Sequence, residues 1–345
     1  MEYLLGSKEE FWKFVDSINE DDKVGIITHT DLDGIASAIF LEEILKFKGI
    51  TVNSVFFTGY KLGMFNKILT DVNEKQITKL FLTDIYADGT DPEGFKELKS
   101  TADLFVIDHH PVINEEVKNT IKTKGADCSA YAIYDLGKEI IDNEKWKMLL
   151  YATMISEMSY KSSENMEYLK KNYPNLTEDN AIDSPPGEIS KIINGALIYF
   201  VSLKKKLKEV YDLVKKQDFE KLKEYNDEVQ KEIEFYLEKI KKEAEHYPEK
   251  DLYFYYFNPK FNVTSVVGTL FSNEHKDSSL IVVSDIDDKM MKVSARNQNK
   301  RQDMGALLKK GIQGLNDAVA GGHVPAAGGS FLKKDLNKFK ENILL

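Results

Sequence analysis

Short apolar runs alternate with helix-like patterns through the first third of the chain. Residues 24–29 (VGIITH) lead into residues 35–49, where apolar positions recur at helical spacing and Gly49 can end the helix. Three further apolar runs follow at residues 51–59, 79–85 and 103–110. Runs that are apolar on both faces are typical of parallel strands covered by helices. The pattern predicts an α/β fold with a parallel sheet, in which the ligand site lies beyond the carboxyl ends of the strands.

The pattern changes after the first third of the chain. Residues 145–160 predict an amphipathic helix, and residues 184–190 break the chain before charged helical sequence that continues to about residue 246. Its charge runs are interpreted as solvated faces, with a clamp that guides substrate as the alternative. A second strand-rich region covers residues 252–258, 279–286 and 290–296, and a helix around MGALLKKGI and a glycine-rich segment at 321–331 follow it. We predict an N-terminal parallel-sheet domain at 1–185, a helical linker at 186–250 and a smaller α/β domain at 251–345.

Composition narrows the class of protein. With 345 residues, 42% of them hydrophobic and 30% charged, the chain can bury a sizeable core and favours more than one domain. A single cysteine, Cys128, excludes an intrachain disulfide and a cysteine zinc cage. The N-terminus lacks the order of a signal peptide, and the longest hydrophobic run, at 196–201, is far shorter than the ~18 residues that span a bilayer. We expect a cytoplasmic protein with no membrane span.

Charge changes the picture of possible substrates. The net charge of −10 divides into −13 on residues 1–250 and +3 on residues 251–345. An acidic chain is a poor match for broad electrostatic wrapping of nucleic acid. Arg296 and Arg301 are the only arginines among 47 basic residues, and the planar fork of arginine suits bidentate contact with phosphate. The alternative is that a lysine-favouring genome retained these two arginines by chance.

Polar side chains cluster where the predicted strands end. His29, Asp31 and Asp33 follow the first strand, and if this segment is extended their side chains share one face. Gly34 then permits a tight turn into the next helix. An ordinary polar turn is the alternative, although it accounts for only one of the two aspartates.

Two more strand ends carry the same kinds of group. Asp84 ends the run at 79–85, where a turn or helix-capping role is the alternative. Asp108, His109 and His110 end the run at 103–110, and two adjacent histidines among only six suggest separate roles in chemistry. Together the three strand ends supply enough carboxylate and imidazole ligands for two divalent ions that share a bridging carboxylate. Ligands of this kind without thiolate suit Mn²⁺, with Mg²⁺ or Co²⁺ as alternatives.

The segments HTDLDGIASA, LFLTDI, FVIDHHP and GGHVPAAGGSF, in this order, resemble the DHH phosphoesterase superfamily. The resemblance spans most of the chain and includes a C-terminal DHH-associated domain that binds substrate. It implies that His29 and Asp31 hold one metal and that Asp33 and His109 hold the other. It also implies that Asp84 bridges both metals. Among the remaining motif residues, it implies that His110 approaches the scissile phosphate and that Asp108 orients a histidine.

At two places the resemblance is less direct. The family's fourth motif supplies an aspartate from a helix, where this chain offers Glu157, so Glu157 is either a metal ligand with a longer reach or an ordinary helix residue. The C-terminal match implies that Arg296 and His323 bind a substrate phosphate. Ser294 resembles another residue of the substrate-binding domain. Gly321 and Gly322 would let backbone amides approach the same anion, unless the glycines only form turns.

The resemblance implies a hydrolase of phosphoester bonds. The form HTDLDGIASA is closer to RecJ-like members, which favours an exonuclease that uses two Mn²⁺ ions to trim single-stranded DNA, RNA or short oligonucleotides from an end. The first alternative is a phosphoesterase of small nucleotides. It would act as an oligoribonuclease, a 3′-phosphoadenosine 5′-phosphate phosphatase or a cyclic-dinucleotide phosphodiesterase. The second alternative is a catalytically silent scaffold of a replication complex, which the presence of every ligand of the first three motifs disfavours.

Overall fold

A computed structural model describes residues 1–112 and 118–345. The chain divides into two compact units. Unit 1 comprises Met1–Leu197 and Lys206–Lys223, and unit 2 comprises Ile198–Lys205 and Glu224–Leu345. This division assigns the residues of the predicted linker partly to one unit and partly to the other.

Unit 1 is built on a sheet of mostly parallel strands, as the apolar runs predict. Its strands are β1 (Tyr3–Leu5), β2 (Val24–His29), β3 (Val52–Thr58), β4 (Lys79–Thr83), β5 (Asp103–Asp108) and β6 (Thr120–Thr123). Their order in the sheet is β1-β6-β5-β4-β2-β3, and β1 alone among these six runs antiparallel to its neighbour. β2, β4 and β5 are buried along most of their length because helices cover both faces.

Some helices of unit 1 begin at a side chain that accepts a backbone N–H group. The helices are α1 (Lys8–Asp16), α2 (Leu32–Phe47), α3 (Asn66–Glu74), α4 (Ala87–Thr90), α5 (Pro92–Thr101), α6 (Ser129–Leu136), α7 (Lys138–Ile141), α8 (Glu144–Ser156), α9 (Ser163–Lys170) and α11 (Lys208–Lys216), with α10 (Pro185–Ser202) and α12 (Phe219–Glu243) contributing residues to both units. Among them, α1, α2 and α8 begin at such a side chain. Asp31 caps α2 by accepting from the Gly34 N–H at 3.0 Å, and Asn143 caps α8 in the same way. A 3₁₀ helix, Ser159–Lys161, follows α8.

The prediction of an amphipathic helix at 145–160 is partly wrong. Helix α8 ends at Ser156, and an unbroken stretch of buried residues runs from Leu149 to Ile155 around the whole helix. A helix that is buried on all sides has no polar face to keep in water. Because α8 ends at Ser156, Glu157 is its C-terminal cap residue and does not lie on an exposed helical face.

Unit 2 contains a mixed sheet with helices. Its elements are β7 (Glu245–Tyr247), β8 (Leu252–Tyr256), α13 (Thr264–Glu274), β9 (Ser279–Asp285), β10 (Met290–Arg296), α14 (Met304–Gly311), β11 (Val319–His323), β12 (Ala326–Leu332) and α15 (Leu336–Leu344), with 3₁₀ helices at Pro248–Lys250 and Lys333–Asp335. The order is β11-β12-β10-β9-β8-β7, and only the pair β8–β9 within it is parallel. A core of side chains from this sheet, α14 and α15 fills one face, and α13 packs on the other.

The glycine-rich segment forms a β-hairpin. β11 and β12 pair antiparallel from Val319–Ser330 to His323–Ala326, so most of the glycine-rich segment is regular strand. The glycines fit because two strands approach closely there: a Cβ at Gly329 would lie 2.4 Å from the Val319 carbonyl oxygen. No helix in the described residues has the length and apolar character needed to cross a bilayer.

Candidate metal centre

The register of the unit 1 sheet aligns three predicted site residues at neighbouring strand ends. Thr28 of β2 pairs with Thr83 of β4, which pairs with Ile107 of β5. The residues that follow them, His29, Asp84 and Asp108, therefore lie side by side at the carboxyl edge of the sheet. The chain runs from β2 to β3 on one side and crosses to β4 on the other, so β2 and β4 flank a topological switch point. Open α/β sheets bind their ligands at such points.

The turn from β2 into α2 positions the first group. Asp31 Oδ1 caps the helix and its Oδ2 accepts from His29 Nδ1 at 2.7 Å, so the carboxylate holds both the helix and the imidazole. The turn needs glycine at position 34, since a Cβ there would lie 2.3 Å from the His29 carbonyl oxygen. The extended arrangement of residues 29, 31 and 33 is therefore not adopted. Asp33 reaches the site from the first turn of α2.

Asp84 lies between the two histidines. Its Oδ2 is 3.7 Å from His29 Nδ1 and its Oδ1 is 3.5 Å from His109 Nε2. The residue has φ of +56°, a left-handed conformation that costs a side chain about 1–3 kcal/mol and that tends to occur at functional sites. Its N–H donates to the Ile107 carbonyl at 3.0 Å, which fixes this backbone against β5.

Asp33 joins the site to the start of α6. Its Oδ2 accepts from the Ser129 N–H and its Oδ1 from the Ala130 N–H, both at 2.8 Å. The hydroxyl of Ser129 donates to Asp84 Oδ1 at 3.2 Å, and His109 Nε2 lies 3.8 Å from Asp33 Oδ2. The N-terminus of α6 thus stabilises a carboxylate that faces the second histidine.

The electrostatics of the site are unfavourable without a cation. Burial, and then the charges of Asp33 and Asp31, raise the pKa of Asp84 well above its usual value. Burial also raises the pKa of Asp33. Asp84 Oδ2 and His109 Nδ1 are buried and have no hydrogen-bond partner among the residues described. Buried carboxylates that repel one another favour a multivalent cation.

The donor geometry fits two metal ions. His29, Asp31 and Asp84 form one group, and Asp84, His109 and His110 form a second, and within each group the donor atoms lie within 4.8 Å of one another. The two groups share Asp84. Carboxylate oxygens and imidazole nitrogens of this kind are the ligands that Mn²⁺ and similar ions accept.

Glu157 lies near these groups but belongs to neither. Burial, followed by the charges of Asp33 and Asp31, raises the pKa of Glu157 to about 8. An ordinary exposed helix residue would not respond to those two carboxylates. From the end of α8, Glu157 is therefore close enough to these carboxylates to be a candidate metal ligand.

A separate chain of contacts holds His110. Its Nδ1 donates to Asp108 Oδ1 at 2.7 Å, and the buried Lys122 donates to the other Asp108 oxygen. Burial raises the pKa of Asp108, but the hydrogen bond from His110 and the charge of Lys122 outweigh it and hold that pKa at about 2. The Tyr60 hydroxyl donates to the Asp84 carbonyl at 3.1 Å and lies 3.2 Å from His110 Nε2.

Sequence reasoning missed Tyr60, Lys122 and Ser129. Tyr60 follows β3 by two residues and its ring lies 4.3 Å from that of His29, while Lys122 pairs with Asp108 across β6 and β5. Extending the rule about strand ends to every parallel strand would have found Tyr60. Lys122 and Ser129 carry no local signal, because their contacts depend on register and on where α6 begins.

The predicted substrate residues lie in unit 2. Arg296 and His323 both align with Ala326 across β10, β12 and β11, so they occupy one row of the sheet. The Arg296 guanidinium donates to the hydroxyls of Ser265 at 2.8 Å and Thr269 at 3.3 Å on α13. A second row aligns Ser294 with Gly328 and Gly321, and Gly322 has φ of +142°. Of the predicted substrate residues, Arg296, Ser294 and Gly322 line an open cleft of about 630 Å³, whereas His323 and Gly321 are not among its lining residues.

Comparison with known proteins identifies a family domain within unit 1. Residues 23–176 match the DHH family, N-terminal domain, and this match covers the three strand ends described above. These residues form a DHH domain. No curated protein matches the chain.

Solved structures share the architecture of the whole chain, including that of the DHH domain. An exonuclease RecJ bound to manganese is 16% identical with a TM-score of 0.69, over 97% of this chain and 92% of the other. The DHH domain of a member of the s1p family of ribosomal proteins is 16% identical with a TM-score of 0.70, over 100% and 93%. CDC45 from Entamoeba histolytica is 9% identical with a TM-score of 0.58, over 98% of both chains. At these identities the likeness establishes the fold.

Proposed function

We propose that this chain is a metal-dependent phosphodiesterase that shortens single-stranded DNA, RNA or short oligonucleotides from an end. The observation that carries the proposal is the position of Asp84, shared by two groups of metal donors beside a DHH sequence. The similarity to a RecJ solved with manganese supports a nuclease and supports Mn²⁺ as the ion. We expect two ions per chain.

The site residues divide into holders of metal and holders of substrate. His29 and Asp31 would bind one ion, Asp33 and His109 the other, and Asp84 both, with Glu157 as a further ligand. Divalent ions bound there would lower the pKa of a bound water, so that hydroxide is available at neutral pH, and would neutralise charge on the phosphate. Gly34 and the Asp31 cap fix the histidine and carboxylate that approach the first ion.

His110 is assigned to the scissile phosphate. Asp108 accepts its Nδ1–H, which leaves Nε2 directed toward the Tyr60 hydroxyl. The ion pair with Lys122 favours the anionic form of Asp108. The Asp108 carboxylate in turn fixes the orientation of the His110 ring. His110 also lies among the donors of the second group, and substrate contact and metal contact are the two roles open to it.

Unit 2 is assigned to substrate capture. Arg296 has a guanidinium pre-oriented by two hydroxyls, Ser294 lines the same cleft, and His323 lies in the same row of the sheet as Arg296. Backbone N–H groups near Gly321 and Gly322 would add contacts to an anion. Such contacts bind phosphate without reading a base, which suits a nuclease of relaxed sequence preference.

The test is digestion of end-labelled single-stranded DNA and RNA of graded length with Mn²⁺, followed by sizing of products. Successive loss of nucleotides from one end supports the exonuclease. Cleavage confined to dinucleotides, cyclic dinucleotides or 3′-phosphoadenosine 5′-phosphate would support the small-nucleotide alternative. The absence of both activities and of bound Mn²⁺ would favour the scaffold. The matched control is Asp84→Asn, which removes the proposed bridge and keeps the size of the side chain.

A further inference from the structure

The sheet face that carries Arg296 continues beyond the residues assigned to substrate. Pairing of β10 with β12, and of β12 with β11, aligns residues in three rows across the strands. The rows are Arg296–Ala326–His323, Ser294–Gly328–Gly321 and Lys292–Ser330–Val319. Since alternate residues of a strand share a face, the third row faces the same side as the first two. The proposed function leaves this third row without a role.

Lys292 is a half-buried cation without an acceptor. Burial lowers its pKa, and the described residues provide it with neither an ion-pair partner nor a hydrogen-bond acceptor. Arg296, on the same strand, has four hydrogen bonds to protein groups. A partly desolvated cation gains more from an incoming anion than a fully hydrated one does.

The floor between the two cations is open. The middle row contains glycines, and a Cβ added at Gly321 would meet nothing within 4 Å. Lys292, Ser294 and Arg296 all line the same 630 Å³ cleft. Four residues of an antiparallel strand span about 14 Å. A stacked single strand covers that distance with about four nucleotides, at a rise of roughly 3.4 Å per nucleotide, and an extended strand covers it with fewer nucleotides.

The surroundings of Lys292 suit a nucleotide better than a bare anion. Ser330 lies directly across from it on β12 and offers a hydroxyl to the cleft. Ile286 and Val319 also line the cleft and are 56% and 66% exposed. A cation and a hydroxyl beside apolar side chains match a phosphate attached to a sugar and base.

We propose that Lys292 and Ser330 form a second phosphate subsite for single-stranded oligonucleotides. It contacts the backbone two to four nucleotides from the phosphate held by Arg296, and a dinucleotide is too short to reach it. The inference rests on the proposed function and adds a dependence of affinity on substrate length. It favours oligonucleotides over cyclic dinucleotides as the substrate class.

Binding of fluorescein-labelled single-stranded oligonucleotides in EDTA tests the subsite without cleavage. We expect Lys292→Gln to bind a hexanucleotide about tenfold more weakly than wild type and a dinucleotide equally well. The slope of log affinity against log salt should fall by about 0.7 for the hexanucleotide, the value for one phosphate of a single strand. Lys292→Arg should restore binding, and Ser330→Ala should lose less than Lys292→Gln.

Lys309→Gln is the control, because it removes the same charge from the exposed side of α14 in the same unit. Equal melting temperatures of the variants would show that folding is unchanged. Equal weakening for both lengths, or wild-type binding of the hexanucleotide by Lys292→Gln, would overturn the subsite. If Lys292 governs hexanucleotide binding but Mn²⁺ gives no cleavage, the subsite stands and the nuclease proposal fails.

Discussion

Asp84 is the residue at which function and stability conflict most directly. It is buried among other carboxylates, its backbone is left-handed, and one of its oxygens has no hydrogen-bond partner within the described chain. We expect Asp84→Asn to reduce turnover below about a tenth of wild type, because a ligand shared by both ions is lost. Asparagine tolerates the left-handed backbone, so the fold should survive.

The same substitution should stabilise the metal-free protein. Removing one charge from the repelling group raises the melting temperature in EDTA, while Mn²⁺ should no longer raise it further. Asp103→Asn, at the exposed opposite end of β5, should change neither quantity. Normal turnover of Asp84→Asn in saturating Mn²⁺ would remove the bridging role.

The raised pKa of Glu157 predicts that the free energy of unfolding of the metal-free protein depends on pH. The pKa of Glu157 is about 8 in the folded chain, against an ordinary value of 4.5, so the native state holds more protons between these values. The free energy of unfolding should therefore fall as the pH rises from about 4.5 to 8, and then level off. Chemical denaturation across this range in EDTA measures the slope.

Glu157→Gln should make that slope shallower, because glutamine does not titrate, and the raised pKa values of Asp84 and Asp33 account for the slope that is left. If Glu157 also binds metal, the variant should need higher Mn²⁺ for full activity. Unchanged Mn²⁺ dependence together with a shallower slope would make Glu157 a buried neighbour of the site and not a ligand.

At the scale of elements, the turn from β2 into α2 depends on one missing side chain. A methyl group at Gly34 would collide with the His29 backbone, which cannot move without disturbing the pairing of His29 with Thr58 on β3. We expect Gly34→Ala to cost about 1–3 kcal/mol and to weaken Mn²⁺ binding. Calorimetry with and without Mn²⁺ measures both effects.

Gly59→Ala is the matched comparison for Gly34→Ala. A Cβ there would come no closer than 4.0 Å to another group, so stability and metal affinity should stay near wild type. Similar losses in both variants would show that the loops around the site, and not the close approach at Gly34, limit stability.

The elements also show how far local sequence specifies the fold. The apolar runs predict β2, β4 and β5, because a strand that is buried on both faces needs apolar residues at nearly every position. β1 and β6 were not predicted, since three or four residues carry too little periodicity and gain their pairing from β5 and from each other. The glycine-rich hairpin was not predicted as strand, because its residues lack strand preference, which cross-strand packing overrides.

Site residues were predictable to the extent that they follow strands. His29, Asp84 and Asp108 are brought into line by a sheet whose order the sequence does not state, yet the edge to which they belong follows from chain direction alone. The anchoring of Asp33 by α6, and of Asp108 by Lys122, joins residues 96 and 14 positions apart. Such contacts depend on tertiary packing. The spacing of residues along a single sequence therefore does not predict them.

At the scale of the whole molecule, metal binding and substrate binding are predicted to separate by mutation. Arg296→Ala should weaken oligonucleotide binding by roughly 1.5–3 kcal/mol, the range for hydrogen bonds to charged groups, and leave Mn²⁺ stoichiometry unchanged. Arg296→Lys should also be impaired, since an ammonium cannot reproduce the fork that Ser265 and Thr269 orient. KM and kcat, together with metal analysis, check this.

His323→Ala should resemble Arg296→Ala in raising KM more than it lowers kcat. A small model diester without a second phosphate should be cleaved equally well by both variants and wild type. Wild-type KM and kcat on short oligonucleotides in both variants would mean that unit 2 does not hold the substrate, and the small-nucleotide alternative would then be preferred.

The two backbone amides that hold Asp33 make the site observable from a distance. Each N–H donates to one oxygen of a carboxylate that also faces His109, so a cation that draws electron density from this carboxylate weakens both hydrogen bonds together. The amide resonances of Ser129 and Ala130 should therefore shift in concert when diamagnetic Mg²⁺ is titrated into ¹⁵N-labelled protein. The start of α6 thereby acts as an internal gauge of occupancy, one that needs neither substrate nor turnover.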